Sequence, residues 1–351
     1  MVQHKAVDGQ VNDYHLVHLG QFAIGRFGIV FSENCAVEPQ GRVTQGDIGL
    51  WDDRQIAGHQ RLVHFLQQQG SLAGLQISHA GRKGSAPRPF DPPGQLGPEG
   101  ADWQPWPVVG PSALPAGAGF PVPQELSLEA IEALVHRFGE TAARAERAGY
   151  DVIELHAAHG YLLAQFLSPL SNQRNDHYGG DRAGRMRLPL AIVRQMRQVW
   201  PSSKPLFVRI SALDGAGGWD LDDSVAFATE LKALGVDVVD CSSGGLTGLA
   251  TAQPIQRSPG FQVPYAAAVR RQAGVATMAV GLILDGPQAE AILQAGDADL
   301  IAIGRQALAD PHWALHAAKE LGHDDSYALW PPEYGWWLHK RKSNLPGDPR
   351  A

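Results

Sequence analysis

The chain has 351 residues, of which 44% are hydrophobic and 19% are charged, and its formal net charge at pH 7 is −7. This composition is typical of a globular protein with a sizeable core, and the negative charge argues against a nucleic-acid partner. The 2 cysteines argue against a disulfide framework, and no apolar stretch reaches the roughly 20 residues of a membrane span. We therefore expect a cytoplasmic protein with no membrane partner.

Short runs rich in aliphatic and β-branched residues recur along the chain. Runs of this length are typical of strands that are buried on both faces of a parallel sheet. They occupy residues 27–33, 72–79, 151–156, 205–211, 236–243, 275–280 and 298–304.

Longer amphipathic segments separate these runs. After Ser127, a residue type that suits a helix N-cap, apolar residues recur at helical spacing until Gly149. The same spacing predicts further helices over 12–25, 52–69, 182–200, 222–234, 263–272 and 286–295. This alternation predicts an α/β fold, a (β/α)₈ TIM barrel whose first strand is missing or truncated at the N-terminus.

We expect a single domain over residues 1–351. Residues 81–126 are crowded with Pro and Gly and have no helical or strand period, so they are predicted to form a long loop that covers the mouth of the barrel. Residues 321–351 would form a C-terminal extension.

Polar residues stand where several predicted strands end, which is where such barrels place their catalytic groups. Arg209 closes "PLFVRIS", and a fixed cation there suits a ligand that becomes anionic. Gln76 in "GLQIS" offers both a donor and an acceptor, which suits an imide edge. Structural roles stay open for both residues, as an ion pair for Arg209 and a backbone hydrogen bond for Gln76.

Glycines end the last two predicted strands. "AVGLI" contains Gly281, and "AIGRQAL" contains Gly304 followed by Arg305. Exposed backbone amides after the last two strands, next to a helix N-terminus, form the usual phosphate site of this fold. Arg305 would add a charge-assisted hydrogen bond, so we expect a ligand that carries a phosphate.

Two histidines and a tyrosine follow the run at 151–156, within "HAAHGY". His156 and His159 have a spacing found in some zinc sites, but no third ligand is evident nearby. Structural histidines are a second interpretation. The third, which we favour, is a pair of ring N–H donors that binds a carbonyl or another oxyanion, with Tyr161 as a proton donor beside it.

Several stretches resemble the Old Yellow Enzyme family of FMN-dependent ene-reductases, in particular the bacterial branch that includes the xenobiotic reductases. They are "GLQISHAGRK", "HAAHGYLLAQFLSPLSNQRNDHYGG", "GGWDLDDS", "VGLI" and "IGRQALADPHW", so the likeness covers essentially the full length. The resemblance implies a barrel that holds FMN and is reduced by NADPH or NADH. It also implies hydride delivery to the β-carbon of a small-molecule activated alkene.

The resemblance further implies roles for individual residues. His156 and His159 would bind the carbonyl or nitro oxygen of the substrate, and Tyr161 would protonate its α-carbon. Gln76 would meet the pyrimidine edge of the flavin, and Arg209 would lie near N1 and O2. Three residues would hold the phosphate, namely Gly281, Gly304 and Arg305.

The chain departs from the family pattern at several positions. Asn34, a flavin-contact candidate, replaces a small residue, Val2 replaces a redox-tuning cysteine, and His4, a substrate-contact candidate, replaces a tyrosine.

We expect the first strand upstream of Met1, within roughly 20 further residues, and weak FMN binding by the 351-residue chain. A degenerate, non-catalytic homologue and another barrel flavin dehydrogenase stay open as alternatives.

The segment "YGWWL" places Trp336 and Trp337 side by side near the C-terminus. Adjacent tryptophans cannot easily face one core, and relatives in this branch use an aromatic residue there across a dimer. We therefore predict a homodimer or higher homo-oligomer in which Trp337 contributes to the substrate site of a neighbouring subunit. Packing against its own barrel is the alternative.

Overall fold

Seven parallel strands form one curled sheet in the computed structural model, which describes residues 1–90, 104–248, 257–324 and 326–342. In chain order the strands, with two short ones outside this sheet, are β1 (Ile29–Ala36), β2 (Leu72–Ser78), β3 (Val109–Gly110), β4 (Gln124–Glu125), β5 (Val152–Ala157), β6 (Leu206–Ser211), β7 (Val238–Ser242), β8 (Ala276–Ala279) and β9 (Leu300–Ile301). The order across the sheet is β1-β2-β5-β6-β7-β8-β9, and each neighbouring pair is parallel. Every run predicted as a strand lies in this sheet.

Helices alternate with the strands, and each predicted helix is present. They are α1 (Asp13–Ile24), α2 (Ile56–Gln68), α3 (Leu128–Ala148), α4 (Leu162–Leu167), α5 (Arg182–Val199), α6 (Leu221–Ala233), α7 (Val263–Ala273), α8 (Gly286–Gln294), α9 (Arg305–Ala309), α10 (Trp313–Glu320) and α11 (Pro332–Lys342). In the described ranges, none of them is both long enough and apolar enough to cross a membrane.

The longest helix, α3, begins and ends where the sequence predicts. The Ser127 side chain accepts a hydrogen bond from the Ala130 backbone N–H at 3.2 Å, which caps the first turn. Gly149 ends the helix at a φ of +90°, in the left-handed conformation that favours glycine. The buried stripe of α3, which includes Leu134 and Phe138, packs against β2 and α5.

The sheet is open along one side in the described part of the chain. β9 and β1 are its two edges, and they do not pair with each other. Residues from both edges, among them Phe31 and Leu300, line one cavity of about 730 Å³. The fold is therefore the predicted barrel type, with the expected seven strands and an open side between β9 and β1.

Side chains that point into the barrel form layers along its axis, because alternate residues of a strand face the same side. Near the amino ends of the strands lies an apolar layer of four buried side chains, Val152, Phe207, Val238 and Met278. Two residues further along β5 and β7, Glu154 and Asp240 are buried. His156 and Ser242 follow two residues later on the same strands and are also buried. Among the described residues of β5 and β7, the polar side chains inside the barrel therefore lie toward the carboxyl ends of the strands.

The segment 81–126, predicted to form a long loop, contains short pieces of regular structure in its described part. β3 and β4 pair in parallel within it, and a 3₁₀ turn spans Gly81–Lys83. Trp106 donates its indole N–H to the Gln40 carbonyl oxygen at 3.1 Å. Residues 91–103, including Trp103, lie outside the described residues.

His59 on α2 is fully buried and bonded through both ring nitrogens. Nε2 donates to the Gly49 carbonyl oxygen at 3.2 Å, and Nδ1 accepts from the Tyr150 hydroxyl at 2.7 Å. These two partners satisfy a neutral ring. Burial lowers the pKa of His59 to about 4.

We predict that the free energy of unfolding falls as the pH is lowered from about 6.5 to about 4. In this window the unfolded chain protonates His59 and the folded chain does not, which costs up to about 3 kcal/mol of stability. Urea unfolding measures the free energy of unfolding across this pH range, and this free energy should depend less on pH in His59→Gln than in the wild type. Part of the dependence should remain, since burial also lowers the pKa of His15 to about 4. An identical pH dependence in the variant and the wild type would contradict the prediction.

Candidate active site

The cavity of about 730 Å³ extends from the open side of the sheet to the carboxyl ends of the strands. Residues from β2 and β6, and from the segments that follow β5, β8 and β9, line it. Six of the predicted site residues are among them, namely Gln76, His159, Arg209, Gly281, Gly304 and Arg305. The parallel sheet brings these residues together because the carboxyl ends of its strands meet at one edge.

His156, His159 and Tyr161 form an aromatic cluster after β5. The ring centroid of His156 lies 5.2 Å from that of His159 and 4.9 Å from that of Tyr161, and both pairs pack edge to face. His156 belongs to β5 and is buried. His159 lies in the following turn at a φ of +57°, and it reaches the cavity wall.

Both histidines are held neutral. Burial, followed by the charge of Arg209, keeps the pKa of His156 and of His159 well below the usual range. Nδ1 of His156 accepts a hydrogen bond from the Ala158 backbone N–H at 3.1 Å. The ring proton of His156 is therefore on Nε2, so this histidine is a hydrogen-bond donor through Nε2.

Tyr161 keeps its proton. Burial raises the pKa of its hydroxyl above the usual range, and the charge of Asp47 adds to the effect. The Tyr161 backbone N–H donates to the Ala158 carbonyl oxygen at 3.1 Å, and the residue is the N-cap of α4. A protonated phenol thus stands beside two neutral histidines.

In the part of the chain that the structure describes, His156 and His159 have no third ligand that would complete a zinc site. Within the described ranges, no group of three or more His, Cys, Asp or Glu side chains is arranged to hold a metal ion. The rings of His156 and His159 pack on each other edge to face.

Two carboxyl groups that the sequence analysis did not single out lie below this cluster. Glu154 accepts a hydrogen bond from Nε2 of Gln76 at 2.7 Å, and Oδ2 of Asp240 lies 3.1 Å from Nε of Arg209. Each pair sits at opposed positions in the strand register. A signal was available, because Glu154 precedes His156 by two residues and so shares its face of β5.

The turn after β2 holds two buried basic residues, Arg82 and Lys83, that the sequence analysis also missed. Nζ of Lys83 donates to the carbonyl oxygen of His159 at 2.9 Å and to the carbonyl oxygen of Gly245. Arg82 donates to the carbonyl oxygen of Leu246 at 3.1 Å. These bonds tie the turn to the loops after β5 and β7, and they hold the backbone of His159 in place.

The three residues predicted to hold a phosphate, Gly281, Gly304 and Arg305, all line the cavity. Gly281 has a φ of +123°, a conformation that L side chains rarely adopt. Gly304 is the N-cap of α9, and because glycine has no side chain it cannot cap the first backbone N–H groups of this helix. Arg305 is exposed at the start of α9.

Among the residues that the structure describes, Asn34, His4 and Trp337 are not part of the cavity wall. Asn34 is buried on β1, next to Glu33, which does line the cavity. Nδ1 of His4 lies 2.7 Å from Oδ1 of Asp47. Trp337 is 66% exposed on α11. The roles expected for these three residues stay predictions.

The fold and the cavity are typical of one class of protein. It is a barrel enzyme of parallel strands in which neutral hydrogen-bond donors stand beside a large ligand cavity. Sequence comparison gives the family. The profile of the NADH:flavin oxidoreductase / NADH oxidase family matches residues 1–324, and the chain belongs to that family. It is an oxidoreductase that uses FMN and a nicotinamide reductant, and the resemblance to the Old Yellow Enzyme family is confirmed.

Individual relatives agree with this assignment. An NADPH dehydrogenase from Bacillus subtilis (strain 168) is 44% identical over 315 residues, which cover 90% of this chain and 86% of the relative. The solved structure of morphinone reductase aligns with a TM-score of 0.75 at 25% identity, over 92% of this chain and 84% of that chain. A 2-naphthoyl-CoA reductase complex aligns with a TM-score of 0.80 at 23% identity, over 93% of this chain and 49% of that one, and this likeness shows the fold alone.

We predict that Lys83→Met lowers the free energy of unfolding by about 2–4 kcal/mol, because it leaves two buried carbonyl groups without a donor. Urea unfolding of the 351-residue chain measures this loss. The matched control is Lys232→Met on α6, where an exposed lysine is replaced and the change should stay within about 0.5 kcal/mol. Equal stability of the two variants would contradict the structural role of Lys83.

Proposed function

We propose that the chain reduces activated C=C bonds, such as those of enones and nitro compounds, with reducing equivalents passed from NADPH through FMN. The observation that carries the proposal is the cluster of two neutral histidines and a protonated Tyr161 at a cavity whose other walls suit a flavin. The relatives named NADPH dehydrogenase favour NADPH over NADH as the reductant.

The residues of the cavity fit FMN. Gln76 offers an amide to the imide edge, and Arg209 offers a fixed positive charge. Arg305 and the backbone at Gly281 and Gly304 suit a phosphate. When bound, FMN supplies the two-electron chemistry that carries reducing equivalents from the nicotinamide to the substrate.

His156 and His159 bind the oxygen of the substrate carbonyl or nitro group. A neutral ring donates through its N–H without giving up a proton, so both histidines polarise the oxygen. The positive charge of Arg209, which lowers the pKa of both rings, also stabilises negative charge that develops on this oxygen. The carbon β to the oxygen-bearing group thereby becomes electron-poor.

Tyr161 supplies the proton that completes the reduction. The α-carbon takes one proton from the hydroxyl as the β-carbon receives hydride, and the product is the saturated compound. Because its pKa is raised, the hydroxyl gives up its proton only to a strongly basic carbon, and the phenolate then regains a proton from solvent. The site therefore favours protonation of an activated carbanion over release of a proton to water.

We predict that His156→Ala and His159→Ala each weaken the binding of a phenolic ligand and slow enone reduction by roughly two to three orders of magnitude. The cause is the loss of one N–H donor to the substrate oxygen. Titration with a phenol and steady-state reduction of an enone measure the two effects. Chelator sensitivity together with stoichiometric zinc would contradict the proposal.

The absorbance spectrum of bound FMN in the same preparations distinguishes the proposed enzyme from a homologue that has lost its activity. Both variants should keep the absorbance of bound FMN, since the proposed cofactor contacts lie on other residues. A wild-type chain that binds no FMN would refute the proposed function itself.

The C-terminal helix supports a second part of the proposal, a homodimer or higher homo-oligomer. Trp336 and Trp337 are 52% and 66% exposed and pack on each other edge to face, with ring centroids 4.4 Å apart. Neither residue reaches the cavity of its own chain among the described residues. The exposed pair is therefore available to a neighbouring subunit, and we infer that Trp337 meets the substrate there.

We predict that Trp337→Ala changes the ranking of enone substrates while leaving the flavin content intact. The reason is that Trp337 would touch the substrate and not the cofactor. Values of kcat/KM for a series of enones of increasing size measure the change, with Val17→Ala on α1, another exposed apolar residue, as the control. Unchanged kinetics in Trp337→Ala would count against the shared site.

A further inference from the structure

A layer of carboxyl groups lies inside the barrel, between the apolar layer and the proposed substrate-binding histidines. Glu33, Glu154 and Asp240 come from β1, β5 and β7 and are all at most 5% exposed. One oxygen of each has no hydrogen-bond partner among the described residues. Burying a carboxyl group costs free energy unless the group is paired or hydrogen-bonded. The position of each of these three groups therefore calls for an explanation.

Glu154 has a specific neighbour in Gln76. The two residues are opposed in the register of β5 and β2, and Nε2 of Gln76 donates to Oε1 of Glu154 at 2.7 Å. Both side chains line the cavity. One of the two N–H groups of the Gln76 amide is engaged by Glu154, and the amide oxygen is the acceptor left for a ligand.

We propose that Glu154 is a positioning residue that fixes the orientation of the Gln76 amide, so that Gln76 presents a hydrogen-bond acceptor to the imide N–H of FMN. An amide without such a partner can turn over, since its two ends have nearly the same shape and opposite hydrogen-bonding character. The inference rests on the proposed contact between Gln76 and the flavin, and it adds the residue that determines which end of the amide makes it.

The protonation of Glu154 is compatible with this role. Burial raises the pKa of Glu154, and the charge of Asp240 adds to the effect, while Arg209 and the bond from Gln76 act against it. Oε1 already accepts from Gln76, so a proton on this carboxyl group belongs on Oε2, which has no partner. Oε1 thus accepts from Gln76 whether or not Glu154 is ionised.

A leucine at this position matches the size of glutamate but offers no acceptor, whereas a glutamine still offers one. Glu154→Leu should therefore release the Gln76 amide, and Glu154→Gln should keep it in place. Both substitutions remove the carboxyl charge. The difference between these two variants isolates the acceptor from the effect of charge.

The test compares the two variants, each as the 351-residue chain loaded with FMN, by FMN retention in equilibrium dialysis and by the midpoint potential of the bound flavin. Relative to Glu154→Gln, Glu154→Leu should bind FMN roughly tenfold more weakly. A freed amide turns its N–H toward the flavin and favours the reduced form by about tenfold, which corresponds to a potential about 30 mV higher. A purely structural role would loosen FMN without a difference in potential between the variants, and that result would overturn the proposal.

Gln76→Leu, measured in parallel, separates this inference from the proposed function. If Gln76→Leu keeps both the affinity and the potential of the wild type, the contact between Gln76 and the flavin is refuted, and the role of Glu154 falls with it. If Gln76→Leu changes both quantities while Glu154→Leu and Glu154→Gln remain alike, only the role of Glu154 is refuted.

Discussion

The register of the parallel sheet is the constraint on which the rest of this structure depends. It sets Gln76 opposite Glu154, His156 opposite Arg209, and Arg209 opposite Asp240 across four consecutive strands. A slip of one residue in any strand would turn its polar side chains out of the barrel and its outward apolar ones inward. Both faces of β5, β6 and β7 are buried, so a slip would bury Glu154, Arg209 and Asp240 away from their partners, and this cost specifies the register.

Burial then determines the chemistry of the polar half of the interior. The same desolvation keeps His156 and His159 neutral, keeps Tyr161 protonated and raises the pKa of Glu154. Arg209 is the fixed positive charge at the centre of this group. Donors that stay protonated or neutral in this cavity suit a reaction that moves negative charge onto a substrate oxygen.

Loops at the carboxyl ends complete the site because they contact one another directly. The loop after β5 and the loop after β7 approach backbone to backbone, since a Cβ atom on Gly160 would collide with the carbonyl oxygen of Gly245. Lys83 bridges the same two loops from a third one. The position of His159 is thus determined by contacts among three loops that are far apart in the chain.

The sequence by itself determined the strands, most of the helices and the residue types of the site. Continuous apolar runs indicate strands buried on both faces, and apolar residues at helical spacing indicate helices, and both patterns are local. It also placed His156, Gln76 and Arg209 at strand ends, where a barrel puts its catalytic groups. Only the tertiary structure decided which partners they have. The alternation along β5 puts Glu154 on the same face as His156, but only the register pairs it with Gln76, and only the loop contacts bring Lys83 to His159. Such pairings depend on backbone positions dozens of residues apart, and no local pattern records them.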